Sequence, residues 1–180
     1  MAETKPPPEA VFFCGALIAC DHALEAARAT VRAAWGPPAL ESPLYPFTDT
    51  DYYAEETGPA IRRVFWGWDG MFSPDELASR KRQTNALEAD IARTGVSPWP
   101  RPVNLDPGYL TRAKLVLASA KDFAHRIWIG GGIYAEVTRN WRHGAFVNHP
   151  WTFPDYASGR YDDFFLALRK QLGRKGRVSN

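Results

Sequence analysis

Apolar and polar residues change their period several times along this chain, and each change predicts an element. Residues 11–20 (VFFCGALIAC) are an almost unbroken apolar run, which suits a strand buried on both faces. Asp21 then offers an N-cap, and Leu24, Ala27, Val31 and Trp35 share one helical face before Gly36-Pro37 stops the helix. Residues 40–47 read as an edge strand, because Pro43 and Pro46 cannot donate to a ladder, and residues 61–68 (IRRVFWGW) read as another strand. Ser73-Pro74-Asp75-Glu76 has the order of a capping box with Pro at the first helical position, so a helix should run to about Arg93. Leu77, Thr84, Leu87 and Ile91 form its inward stripe. Thr84 is either a satisfied core hydroxyl or, with Asn85, part of a ligand pocket.

Residues 103–105 predict a short strand closed by an Asp106-Pro107-Gly108 turn. Residues 111–121 suit strand or helix and are read as strand. Residues 126–138 alternate with period two on either side of Gly130-Gly131-Gly132, the pattern of a hairpin. A turn at Arg142-His143-Gly144 leads into residues 145–148. Tyr161, Phe164, Phe165, Leu168 and Leu172 then mark a C-terminal amphipathic helix. The expected architecture is α+β: a disordered lead over residues 1–9, one domain over 10–172 and a basic tail over 173–180. That domain should hold an antiparallel or mixed β-sheet with about three helices.

Composition adds limits. A chain of 180 residues can bury a core without disulfides or metals. Cys14 and Cys20 lie on or beside one extended segment and cannot readily meet, which favours a reducing compartment. The N-terminus lacks a signal pattern and no apolar run reaches spanning length, so the expected location is cytoplasmic, without a membrane. The net charge of +2 conceals an asymmetry: residues 1–100 carry nine Lys/Arg against fourteen Asp/Glu, residues 101–156 seven against four, and residues 157–180 six against two. The C-terminal part could attract anions, but the excess is too small to imply nucleic acid alone.

Ionisable groups are most densely interleaved with strand pattern between Asn104 and Tyr156. Charges are costly in a core unless paired, so this stretch marks a polar pocket or a solvated face. Its cations Lys114, Lys121 and Arg126 suit a phosphate or carboxylate, and His125 has the chemistry of a proton carrier near neutrality. Asp51, Asp106, Glu136 and Asp155 are the candidate acids and bases; the Asp49-Thr50-Asp51 loop, with carboxylates from other loops, could also hold Mg²⁺. Against this, Asp and Thr are common in turns, and Arg126 could simply pair with Glu136 across the hairpin. Tyr53, Tyr109 and Tyr134 could contact a ligand, although aromatics are ordinary sheet residues. The three glycines precede a strand, with no helix to supply amides to a phosphate, so they read as a turn. No P-loop, dinucleotide fingerprint, zinc spacing or nucleophile elbow is present, and no metal ligand is assigned.

Several motifs together resemble an uncharacterised prokaryotic family, domain of unknown function 4416. They include Phe47-Thr48-Asp49-Thr50-Asp51-Tyr52-Tyr53, Asn104-Leu105-Asp106-Pro107-Gly108-Tyr109-Leu110, Lys114-Leu115-Val116-Leu117-Ala118-Ser119, His125-Arg126-Ile127, Gly132-Ile133-Tyr134-Ala135-Glu136-Val137 and Trp151-Thr152-Phe153-Pro154-Asp155-Tyr156. The first motif carries extra residues relative to the family's shorter form, and its adjacent tyrosines align Asp51 with the family aspartate. The resemblance implies an identity and no mechanism.

The residues therefore lead to an expectation: a small enzyme or binding protein for an anionic metabolite, a nucleotide or phosphorylated compound. Lys114, Lys121 and Arg126 would hold the anion and His125 would move a proton. The alternatives are a nucleic-acid-binding module using exposed aromatics and the basic tail, or a structural or partner-binding protein without a catalytic site. Oligomeric state and substrate stay open.

Overall fold

Every residue of β1 (Ala10–Ile18) is buried, so both faces of this strand must be covered. In the computed structural model, which describes residues 3–49 and 54–173, they are. Alternate residues Phe12, Cys14, Ala16 and Ile18 join one core with α1 (Asp21–Trp35) and α3 (Leu77–Arg93). Val11 and Phe13 join a second core with α5 (Asp162–Arg169). Each large apolar side chain fully buried in these layers contributes roughly 2 kcal/mol. Two four-residue helices, α2 (Ala54–Thr57) and α4 (Pro154–Ala157), bring the described helices to five, three of them of eight residues or more.

The remaining strands are β2 (Leu40–Glu41), β3 (Tyr45–Pro46), β4 (Arg62–Gly67), β5 (Val103–Thr111), β6 (Lys114–Ser119), β7 (Ile127–Gly130), β8 (Ile133–Arg142) and β9 (Ala145–Asn148). They form one antiparallel sheet in the order β2-β4-β1-β5-β6-β8-β7, with β3 beside β4 and β9 beside β8. The fold is α+β. The Pro-interrupted segment is two short edge pieces on β4, and residues 114–119 of the ambiguous stretch are strand. The triple-glycine hairpin turns with all three φ angles positive, as expected of a turn that only glycine adopts readily.

Three local expectations are corrected. Cys20, not Asp21, occupies the N-cap of α1; Asp21 lies in the first turn and pairs with Arg62 at 2.7 Å. Ser73 makes no capping bond to the backbone: its hydroxyl meets Asp75, and a short 3-10 turn over Pro74–Glu76 leads into α3. Most consequentially, Asp106-Pro107-Gly108 is not a turn. β5 runs straight through it, because β1 pairs with all nine of its residues.

That correction explains the main irregularity of the sheet. β5 and β6 pair only at Gly108–Leu117, Tyr109–Val116 and Leu110–Leu115. The next pair in register would be Pro107 with Ala118, and Pro107 has no N–H to offer. At Gly108 the strands are pressed together: a Cβ there would lie 2.5 Å from both the Phe13 ring and the Val116 carbonyl. Beyond it they part. Helix α3 takes over the abandoned edge of β5, with Lys81 Nζ donating to the Leu105 carbonyl and the Leu105 N–H donating to Glu88 Oε1, both at 2.7 Å. Two side chains thus do the work of a missing strand.

Candidate functional site

The gap between β5 and β6 is a cavity of about 730 Å³ that draws lining residues from both cores. A volume of that order suits a small-molecule ligand. On the β5 side stand Arg63, Lys81, Arg101, Asn104 and Asp106; on the other stand Ser119, Lys121, Arg126 and Glu136. Phe47, Phe123, Phe153 and Tyr156 add aromatic walls.

Asp106 organises the first flank. Its Oδ2 accepts from Arg63 Nη1 at 3.0 Å and Asn104 Nδ2 at 2.8 Å, while Lys81 Nζ lies 3.7 Å from Oδ1. Burial works to raise this carboxyl, but Lys81, Arg63 and Asn104 outweigh it and hold it below the usual carboxylate range. Arg63 also faces Asp155, Nη2 to Oδ2 at 3.4 Å. Burial would weaken the guanidinium as a cation, yet Asp155 and Asp106 reverse that and keep it charged. For Asp155 the balance runs the other way: burial raises its carboxyl, and Arg63 and the Tyr161 hydroxyl only partly offset it. One guanidinium therefore holds two carboxyl groups with opposite tendencies. Behind them Glu88, raised by burial, accepts from Arg101 Nη2 at 2.9 Å.

The opposite flank is built on the hairpin. Glu136, buried on β8, accepts from Arg126 Nε at 2.8 Å and lies 3.2 Å from His125 Nε2. Arg126 Nη1 donates to the Ser119 hydroxyl and to the Lys121 carbonyl, tying the segment after β6 to β8. The His125 ring stacks near-parallel with both Phe123 and Trp151, and Trp151 in turn stacks on His149 at 4.7 Å. The cross-hairpin Arg126–Glu136 pair is thus present, and it lies within the cavity wall.

Of the residues singled out in the sequence, Asp49, Asn85, Asp106, Lys121, Arg126, Glu136 and Asp155 line the cavity, and His125 touches it through Glu136. Thr84 is fully buried and its hydroxyl donates to the Lys81 carbonyl, the behaviour of a core hydroxyl. Lys114 begins β6 opposite Asn140, Tyr109 packs toward Phe72 in the α1/α3 core, and Tyr134 sits opposite Ser119; none of the three is in the lining. Asp51 and Tyr53, with the basic tail beyond Gly173, lie outside the described residues. Among the described residues, no three His, Cys, Asp or Glu side chains come together as a metal-binding group. Asp106, Glu136 and Asp155 are each engaged with an arginine instead.

Arg63, Lys81, Glu88, Arg101 and Asn104 were not anticipated. A signal existed for two of them: Lys81 and Glu88 continue the Leu77–Thr84–Ile91 face at helical spacing, so that face carries buried residues at 77, 81, 84, 88 and 91.

No described helix is long and apolar enough to cross a membrane. No curated protein and no solved structure matches the chain. A family model does, over residues 8–172: the chain belongs to the family described as a domain of unknown function, DUF4416.

Proposed function

We propose that this chain binds an anionic small molecule, a nucleotide or phosphorylated metabolite, in the cleft between β5 and β6, and acts on it as a small cytoplasmic enzyme or binding protein. The observation that carries this reading is the cleft itself, with cationic side chains on both flanks and aromatic rings between them. Lys121 and Arg126 provide a point charge and a planar fork for an anion on the hairpin side. The paired His125 and Glu136 next to them supply a proton carrier whose ring orientation is fixed by a buried carboxylate. Phe123, Phe153 and Tyr156 offer faces on which a planar ligand could stack.

The test is a thermal-shift and calorimetric screen of nucleoside monophosphates, sugar phosphates and inorganic phosphate, with and without Mg²⁺. A compound that raises the melting temperature should lose its effect in Lys121→Ala, while the unliganded variant melts close to the wild type. A hit that binds Lys121→Ala undiminished would remove this reading. Steeply salt-dependent binding of oligonucleotides, weakened on deleting residues 173–180, would favour a nucleic-acid partner instead.

A further inference from the structure

Lys81 is a buried amine in the cleft wall, 5% exposed, whose sole hydrogen bond among the described residues goes to the neutral carbonyl of Leu105. Its nearest carboxylate oxygens among the described residues, on Asp106 and Glu88, lie 3.7 and 4.0 Å away, outside hydrogen-bonding range. Arg63 and Arg101 are bonded to those same carboxylates. A strut for β5 needs only an uncharged donor, since the bond to Leu105 ends on a neutral carbonyl, yet the position holds a desolvated amine with no carboxylate oxygen in hydrogen-bonding range. Lysines in such settings are the ones that serve as nucleophiles toward carbonyl compounds.

We infer that Lys81 is an imine-forming residue, and that the ligand of the cleft is a carbonyl compound, an aldehyde or ketone, bearing a phosphate or carboxylate. This rests on the anion-binding reading above and names its substrate class. In the first step the Lys81 ammonium gives a proton to water in the cleft. The free amine attacks the carbonyl carbon, forming a C–N bond while the C=O becomes a C–OH. The carbinolamine then takes up a proton from that water and loses its hydroxyl as water, and the C=N bond forms. Nothing is oxidised or reduced. Asp106, which stays anionic, faces the cationic imine. Lys121 and Arg126 on the facing flank hold the anionic end.

The full chain would be incubated with dihydroxyacetone phosphate or pyruvate, reduced with sodium borohydride, and analysed by intact mass and peptide mapping. The expected result is a single adduct per chain, on Lys81, reduced at least tenfold in Lys81→Arg. Absence of an adduct, or adducts spread over Lys114, Lys121 and Lys170, overturns the inference. The mapping on the wild type decides the matter even where the variant does not fold. Melting curves with dihydroxyacetone phosphate separate the two proposals. A rise in melting temperature that needs Lys121 but leaves no Lys81 adduct sinks the imine and spares anion binding. No rise with any compound of the screen and no adduct sinks both.

Discussion

Arg63 Nη1 reaches Asp106 Oδ2 at 3.0 Å across an intervening strand, at the point where β1 carries Gly15 opposite both Phe65 and Asp106. A Cβ on Gly15 would lie 2.9 Å from the Phe65 ring and 3.3 Å from Arg63 Nη1. Gly15 thus leaves the passage through which a residue of β4 enters the cleft. Gly15→Ala should cost about 1–3 kcal/mol in urea unfolding and weaken ligand binding together. A variant as stable as the wild type would show that the passage has slack.

The same guanidinium holds Asp106 and Asp155, so truncating it leaves the buried Asp155 without its cation and Asp106 with only Asn104 and Lys81. Arg63→Met should lower stability by about 3–5 kcal/mol. The double variant Arg63→Met/Asp106→Asn should lose less than the sum of the single changes, because both remove the same Arg63–Asp106 bond. Additive losses in a double-mutant cycle would deny the coupling.

The cleft also carries a pH signature. Burial raises Glu88 above its ordinary 4.5 and Asp155 above its ordinary 3.8, so the folded state binds these protons more tightly than the unfolded chain. Their contribution to stability therefore grows as pH falls through the window from each raised value down to the ordinary one. Asp106 has the opposite sign: its lowered value gives stability that is present above 3.8 and lost as pH falls through the folded value. Relative to Glu88→Gln, the wild type should gain melting temperature on acidification toward 4.5. Relative to Asp106→Asn, it should lose below 3.8. Parallel curves for wild type and Glu88→Gln would contradict the first expectation.

Gly108 should be the least replaceable residue of β5. A Cβ there meets both the Phe13 ring and the Val116 carbonyl at 2.5 Å, and neither can withdraw without separating the strands. Gly108→Ala should cost about 3 kcal/mol and accelerate amide exchange at Tyr109 and Leu110, where β5 and β6 still pair. Unchanged exchange at those two amides would refute it.

The fold was legible where the period of the residues decides the outcome. The unbroken run at residues 11–20, the stripe of α1 and the alternation of the hairpin each carry their element in their own spacing. Asp106-Pro107-Gly108 misleads because turn composition is local, whereas its conformation is set by the nine-residue pairing with β1. For the site, Asp106, Lys121, Arg126, Glu136 and Asp155 stood out as charges within strand pattern, and they do converge. Arg63 did not stand out among the apolar residues of its strand, although a charge there carried the same signal. Lys81 and Glu88 were masked by the highly charged helix around them; only the face they share with Thr84 separates them from solvated neighbours.

The ladder between β5 and β6 is three residue pairs long. The sheet is therefore mechanically two leaves sharing a short spine at Gly108, with α3 lying over both as a strap that touches β5, β6 and β8. A molecule seated between Arg63 on one leaf and Arg126 on the other acts as a cross-brace. Its binding would make the leaves unfold as one body, and its release would return to each leaf a freedom that a continuous ladder would have denied.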